Sequence, residues 1–163
     1  MKKLILVRHG KSAWDNPSLS DHDRPLAPRG IRDIPVMASR LKQRNLNPDF
    51  FLSSTALRAK DTAIKTAEVL GFDPSLITLT PELYHSSART ILRLIQSIPD
   101  EFQTALLFGH NPGFNDLIDD LGENIYNLPT SGQYGFKANI SSWKDFKESN
   151  AGYLFFDFPK KKI

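Results

Sequence analysis

Leu4-Ile5-Leu6-Val7-Arg8-His9-Gly10-Lys11-Ser12 is the stretch that decides the fold class. Its first four residues form a continuous apolar run bounded by charge, the pattern of a strand buried on both faces rather than half solvated. Such a strand belongs in a largely parallel sheet covered by helices on either side. Arg8 and His9 follow directly, so they stand at the carboxyl end of the strand, where open α/β sheets bind ligands. A basic start before an apolar run also resembles a signal peptide. Arg8 cuts the run at four residues, however, and a secretory core needs roughly 7–15.

Outward from this strand the chain alternates strand and helix. Residues 16–29 are rich in Pro, Ser and Asp and predict a long loop of functional interest. Ile31, Ile34, Met37, Ala38 and Leu41 give residues 28–45 a helical period, although Pro35 cannot donate to the Ile31 carbonyl, which predicts a kink or a start nearer residue 31. Residues 49–52 predict a second strand, with Ser53-Ser54-Thr55 suited to capping a helix that ends at Gly71. Residues 77–80 predict a third strand. Ser86 or Ser87 then caps a helix carrying Ile91, Leu94, Ile95 and Ile98. Residues 104–108 form a fourth strand, followed by Gly109-His110-Asn111-Pro112-Gly113 and a helix to Gly122. Alternation at Tyr134, Phe136, Ala138 and Ile140, and again within residues 153–158, adds two more strands. The fold class expected is a three-layer α/β/α sandwich with a mostly parallel central sheet.

At 163 residues the chain has the length of one domain, read here as residues 1–159 with a basic C-terminal tail at 160–163. Its 24% charged and 10% aromatic content is that of an ordinary globular protein. There is no cysteine, which excludes disulfides, thiolate chemistry and Cys-ligated zinc. No stretch approaches the roughly 18 apolar residues of a membrane-spanning helix, so a cytoplasmic location is expected. The net charge of +3 equals the contribution of Lys160, Lys161 and Lys162, leaving the body balanced. A solvated tail and no nucleic-acid or membrane partner are therefore expected.

His110 follows the fourth strand after a single Gly, so both histidines point to one rim, and Arg58, early in the second helix, can reach it. Two Arg and two His at one place form an anion site. Guanidinium forks match phosphoryl oxygens two at a time, and a neutral imidazole is a nucleophile toward phosphorus. No Walker-type loop and no acidic metal cage occur in the sequence, so neither metal nor cofactor is expected.

These residues carry a resemblance to a known family. Leu6-Val7-Arg8-His9-Gly10-Lys11-Ser12 resembles the signature of the histidine phosphatase superfamily, the phosphoglycerate mutase-like fold. Ser53-Ser54 through Arg58-Ala59, with Thr62-Ala63, resembles its second motif, and Gly109 to Gly113 its third. Asp23-Arg24-Pro25-Leu26, Arg29-Gly30 and Pro81-Glu82-Leu83-Tyr84 are similar to the short SixA-type phosphohistidine phosphatases. The resemblance implies His9 as the phosphorylated nucleophile, with Arg8, Arg58 and His110 forming the phosphate pocket. It implies a phosphorylated protein as partner, or alternatively a small phosphorylated substrate. A phosphate-binding regulatory module without turnover is the reading from a different class. Glu82 is the positional candidate for the general acid, or else braces the Leu83-Tyr84 turn. Ser12 either donates to phosphate or holds the turn after the strand. His22 and His85 read as surface-loop residues.

Overall fold

The computed structural model describes residues 1–161. Six strands, β1 (Lys2–Arg8), β2 (Phe50–Ser54), β3 (Thr78–Thr80), β4 (Thr104–Gly109), β5 (Gln133–Ala138) and β6 (Ala151–Asp157), form one sheet in the order β3-β2-β4-β1-β5-β6. β1 runs parallel to β4 and β2 runs parallel to both β4 and β3. β5 is antiparallel to β1 and β6 antiparallel to β5. The sheet is thus mixed but mostly parallel, as expected for an α/β chain.

The four helices are α1 (Pro28–Gln43), α2 (Leu57–Leu70), α3 (Ala88–Gln96) and α4 (Gly113–Asp120). The apolar run of β1 explains how they are distributed. Successive side chains of a strand point to opposite faces, so Ile5 and Val7 join Leu41, Ala63 and Ala67 beneath α1 and α2. Leu4 and Leu6 join Ile91, Ile95, Phe114 and Leu117 beneath α3 and α4. Both faces of β1 are buried, which is why the run is continuous rather than alternating. Among the described residues no helix is long and apolar enough to cross a membrane.

Several local expectations change. α1 begins at Pro28 and continues across Pro35, without the late start expected. Ile31 and Pro35 are both exposed, so water can satisfy the carbonyl that Pro35 leaves without a donor. The start of α2 is not capped by a hydroxyl: its N-cap is Ala56, and no side chain bonds there. The Ser54 hydroxyl instead accepts from the Ala56 amide at 3.2 Å and bonds His110 at 2.9 Å, so it serves the rim of the sheet. Gly71 closes α2 in the left-handed conformation (φ 73°) and Ser87 caps α3, both as expected. Lys161 is half-buried and donates to the Phe156 carbonyl at 2.5 Å. Of the basic tail, Lys160 is exposed as expected while Lys161 lies against β6, and the last two residues lie outside those described.

Candidate active site

The parallel register of β1 and β4 builds the centre. Arg8 pairs with Gly109, so the next residue of each strand, His9 and His110, must be neighbours. Their ring centroids are 5.2 Å apart. β2 flanks β4 on its other side and delivers Ser54 to His110. Arg58 enters from the first turn of α2. Thr62, one turn further along, donates to the Arg58 carbonyl (2.7 Å) and accepts from the Gly10 amide (3.0 Å). That hydroxyl fastens α2 to the loop carrying His9.

His9 is 8% exposed, and its Nδ1 lies 2.7 Å from the Gly10 carbonyl. A carbonyl only accepts, so Nδ1 carries the proton and Nε2 keeps its lone pair. Burial, reinforced by Arg58, Arg8 and Arg24, pushes the His9 pKa down to about 3. Burial and the nearby His9 and Arg58 do the same to His110, also to about 3. Both rings are neutral at physiological pH.

The cavity at this rim has a volume of about 280 Å³. Arg8, Lys11, Arg24 and Arg58 line it with His9, His85 and His110, against a single carboxylate, Asp21. Ser12, Trp14, Asn111 and Thr130 complete the wall. Arg8 donates to the Leu128 carbonyl at 2.9 Å. The Nε groups of Arg8, Arg24 and Arg58, together with His110 Nδ1, are buried without a hydrogen-bond partner among the described residues. Unpaired buried polar groups are costly, and three guanidinium groups with such atoms lining one cavity beside two imidazoles form a receptor for an oxyanion. Among the described residues there is no group of three His, Cys, Asp or Glu placed to hold a metal ion.

Of the residues singled out in the sequence, Arg8, His9, Ser12, Arg58 and His110 meet at this cavity. The Ser12 hydroxyl is engaged by Arg24 Nη1 at 2.5 Å. Glu82 is exposed on the turn Pro81–Leu83 and does not border the cavity. His22 and His85 lie at the surface as expected, with about half of each side chain exposed, yet both stand near the cavity. His85 lines the cavity, and His22 bonds Thr55 at 2.8 Å and packs edge-on against Tyr84.

Sequence reasoning missed Asp21 altogether. Its carboxylate accepts from Arg24 (2.7 Å), Arg58 (3.0 Å) and the Tyr84 hydroxyl (2.5 Å), with His85 Nε2 at 3.2 Å. Desolvation alone would raise its pKa, but the bonds from Tyr84, Arg24 and Arg58 hold the carboxyl well below the usual range. Arg24 stacks its guanidinium 3.5 Å above the largely exposed Trp14 ring. The available signal was Asp21 three residues before Arg24, inside the long loop after β1.

A family model for the Histidine phosphatase superfamily (branch 1) matches residues 4–105. An uncharacterised protein of Mycobacterium tuberculosis is 37% identical over 165 residues, covering 94% of this chain and 100% of that one. An uncharacterised chloroplastic protein of Arabidopsis thaliana is 32% identical over 153 residues, covering 88% of this chain and 70% of its own length. Among solved structures, SixA from Agrobacterium tumefaciens gives a TM-score of 0.80 at 29% identity, covering 97% of this chain and 98% of that one. A protein histidine phosphatase SixA complexed with tungstate gives 0.81 at 25% identity, covering 96% and 97%. Likeness in sequence from β1 into β4 and likeness in fold over nearly the whole length lead to the same group, and the chain belongs to the histidine phosphatase superfamily as a SixA-type phosphatase.

Proposed function

We propose that the chain hydrolyses phosphohistidine on a protein through a covalent intermediate on His9. The observation that carries the reading is the His9 Nδ1 bond to the Gly10 carbonyl, which leaves Nε2 unprotonated among guanidinium groups. Nε2 attacks phosphorus as the substrate's bond to phosphorus breaks, giving phospho-His9. Arg8, Arg58 and His110 hold the equatorial oxygens, whose charge they stabilise in the transition state. Water then attacks the phosphoenzyme, the bond from phosphorus to Nε2 breaks, and phosphate leaves.

A protein substrate fits an open rim. The loop that carries Trp14 and Asp21 leaves Trp14 72% exposed at the cavity edge, and a side chain on a folded partner can approach there. A SixA structure of this fold is a protein histidine phosphatase that binds tungstate, an oxyanion of phosphoryl shape. A cytoplasmic setting belongs to the same proposal.

The test is incubation with a phosphohistidine peptide, followed by acid-labile labelling of His9. His9→Ala should abolish the label and lower turnover by at least about 10³-fold. A His9→Ala protein as fast as wild type would sink the reading. Phosphate binding with no covalent intermediate would instead make the chain a regulatory module. Faster turnover of sugar or nucleotide phosphates than of the peptide would assign it to small substrates.

A further inference from the structure

We propose that His85, oriented by Asp21, transfers the protons of this reaction, first as acid to the leaving group and then as base to the attacking water. The inference rests on the covalent phosphatase reading and names the group which that reading lacks. Glu82 does not reach the cavity wall, whereas His85 forms part of it. Asp21, the carboxylate that does line the cavity, is held ionised by its donors and has no proton to give.

Three observations single out His85. Its Nε2 lies 3.2 Å from Asp21 Oδ2, and because that carboxylate only accepts, Nε2 carries a proton and Nδ1 is the nitrogen left to exchange one. Its ring lies 4.0 Å from the Tyr84 ring and 5.9 Å from that of His110, extending the row that starts at His9. Its φ is 50°, a left-handed conformation that costs energy for a residue with a Cβ and is concentrated at functional positions. The charged and titratable groups around it are Asp21, Tyr84 and His110, with Arg58 and Arg24 bonded to Asp21 and with His9, Arg8 and Lys11 lining the same cavity.

The proton balance closes. As the bond from His9 Nε2 to phosphorus forms and the substrate's bond to phosphorus breaks, the Nδ1 proton of charged His85 passes to the leaving oxygen or nitrogen. Neutral His85 then takes a proton at Nδ1 from the water that attacks phospho-His9. Phosphate departs, His9 is neutral again, and His85 is recharged for the next cycle. Asp21 stabilises each charged state of the ring and fixes its orientation.

Rapid-quench measurement of phospho-His9 formation tests this with two probes, p-nitrophenyl phosphate, whose leaving group needs little protonation, and glycerol phosphate, whose leaving alkoxide needs it. His85→Asn is the first variant, because Asn tolerates the left-handed backbone, and His85→Gln is the second. With glycerol phosphate both variants should lose about 10²-fold or more. The loss with p-nitrophenyl phosphate should be at least about tenfold smaller. Equal losses on the two probes, or none, would overturn the proposal, as would a leaving-group-dependent loss in Glu82→Gln that is missing from the His85 variants. Wild-type protein that forms no phospho-His9 from either probe or from the phosphohistidine peptide would remove the phosphatase reading itself, and this inference with it.

Discussion

Asp21 sits on a cavity wall otherwise built of cations, where its carboxylate gathers Arg24, Arg58, Tyr84 and His85. It cancels part of the positive charge that an incoming phosphoryl group requires, so it weakens oxyanion binding while aligning the donors. Asp21→Asn keeps an acceptor and the backbone carbonyl that holds Arg58 at 2.7 Å, but removes the charge. Sulfate should then bind roughly fivefold more tightly by titration calorimetry, while turnover falls because His85 loses its ionic partner. Weaker sulfate binding would mean that alignment of Arg58, rather than charge cancellation, is the main effect of this carboxylate. His9 and His110 were legible in the sequence because each stands one residue past an apolar run, and strand ends mark the rim. Asp21 was not, since its partners lie up to 64 positions away and meet only when the loop, α2 and the segment after β3 close together.

At the scale of elements, α1 shows where local rules mislead. Gly30 lies in its first turn, and helix propensity favours Ala over Gly by about 1 kcal/mol. A Cβ at Gly30, however, would fall on the Lys11 carbonyl oxygen and 2.9 Å from the Lys11 nitrogen. Backbone cannot yield as a flexible side chain can, so α1 would have to move away from the loop that follows His9. Overpacking of this kind costs about 1–3 kcal/mol, enough to cancel or exceed the propensity gain. Gly30→Ala should therefore lower the denaturant midpoint and slow phosphoenzyme formation together; a stabilised, fully active variant would show that the helix shifts freely. The same close approach separates what periodicity could read from what it could not. The spacing of Ile34, Met37, Ala38 and Leu41 located the buried face of α1, although Ile31, read as part of the same pattern, is exposed, and Gly71 marked the end of α2. Ser54 read as a cap because hydroxyls before a helix usually are, yet tertiary geometry gives its oxygen to His110 instead.

For the whole molecule, the interior place of β1 was implicit in its buried run, whereas the order of the strands and the antiparallel placement of β5 beside it were not, because alternation marks a strand without giving its neighbour or direction. The assembled rim gives the protein a pH dependence that no single segment carries. His9 and His110 have pKa values of about 3 in the folded protein and return to about 6.5 when unfolded. Between these values the unfolded chain binds more protons, so stability is full above about pH 6.5 and is lost as pH falls toward about 3. A bound dianion reverses part of this loss, since its charge favours protonated rings, and anion binding then draws in protons. Sulfate stays dianionic across the window, so the rise in melting temperature it produces should be larger at about pH 5 than at about pH 8. Arg58→Ala, compared at equal ionic strength in chloride, separates binding at the cavity from the general salting effect of sulfate. An equal rise at both pH values would mean that the two rings stay neutral with the anion in place, and that guanidinium groups alone hold it.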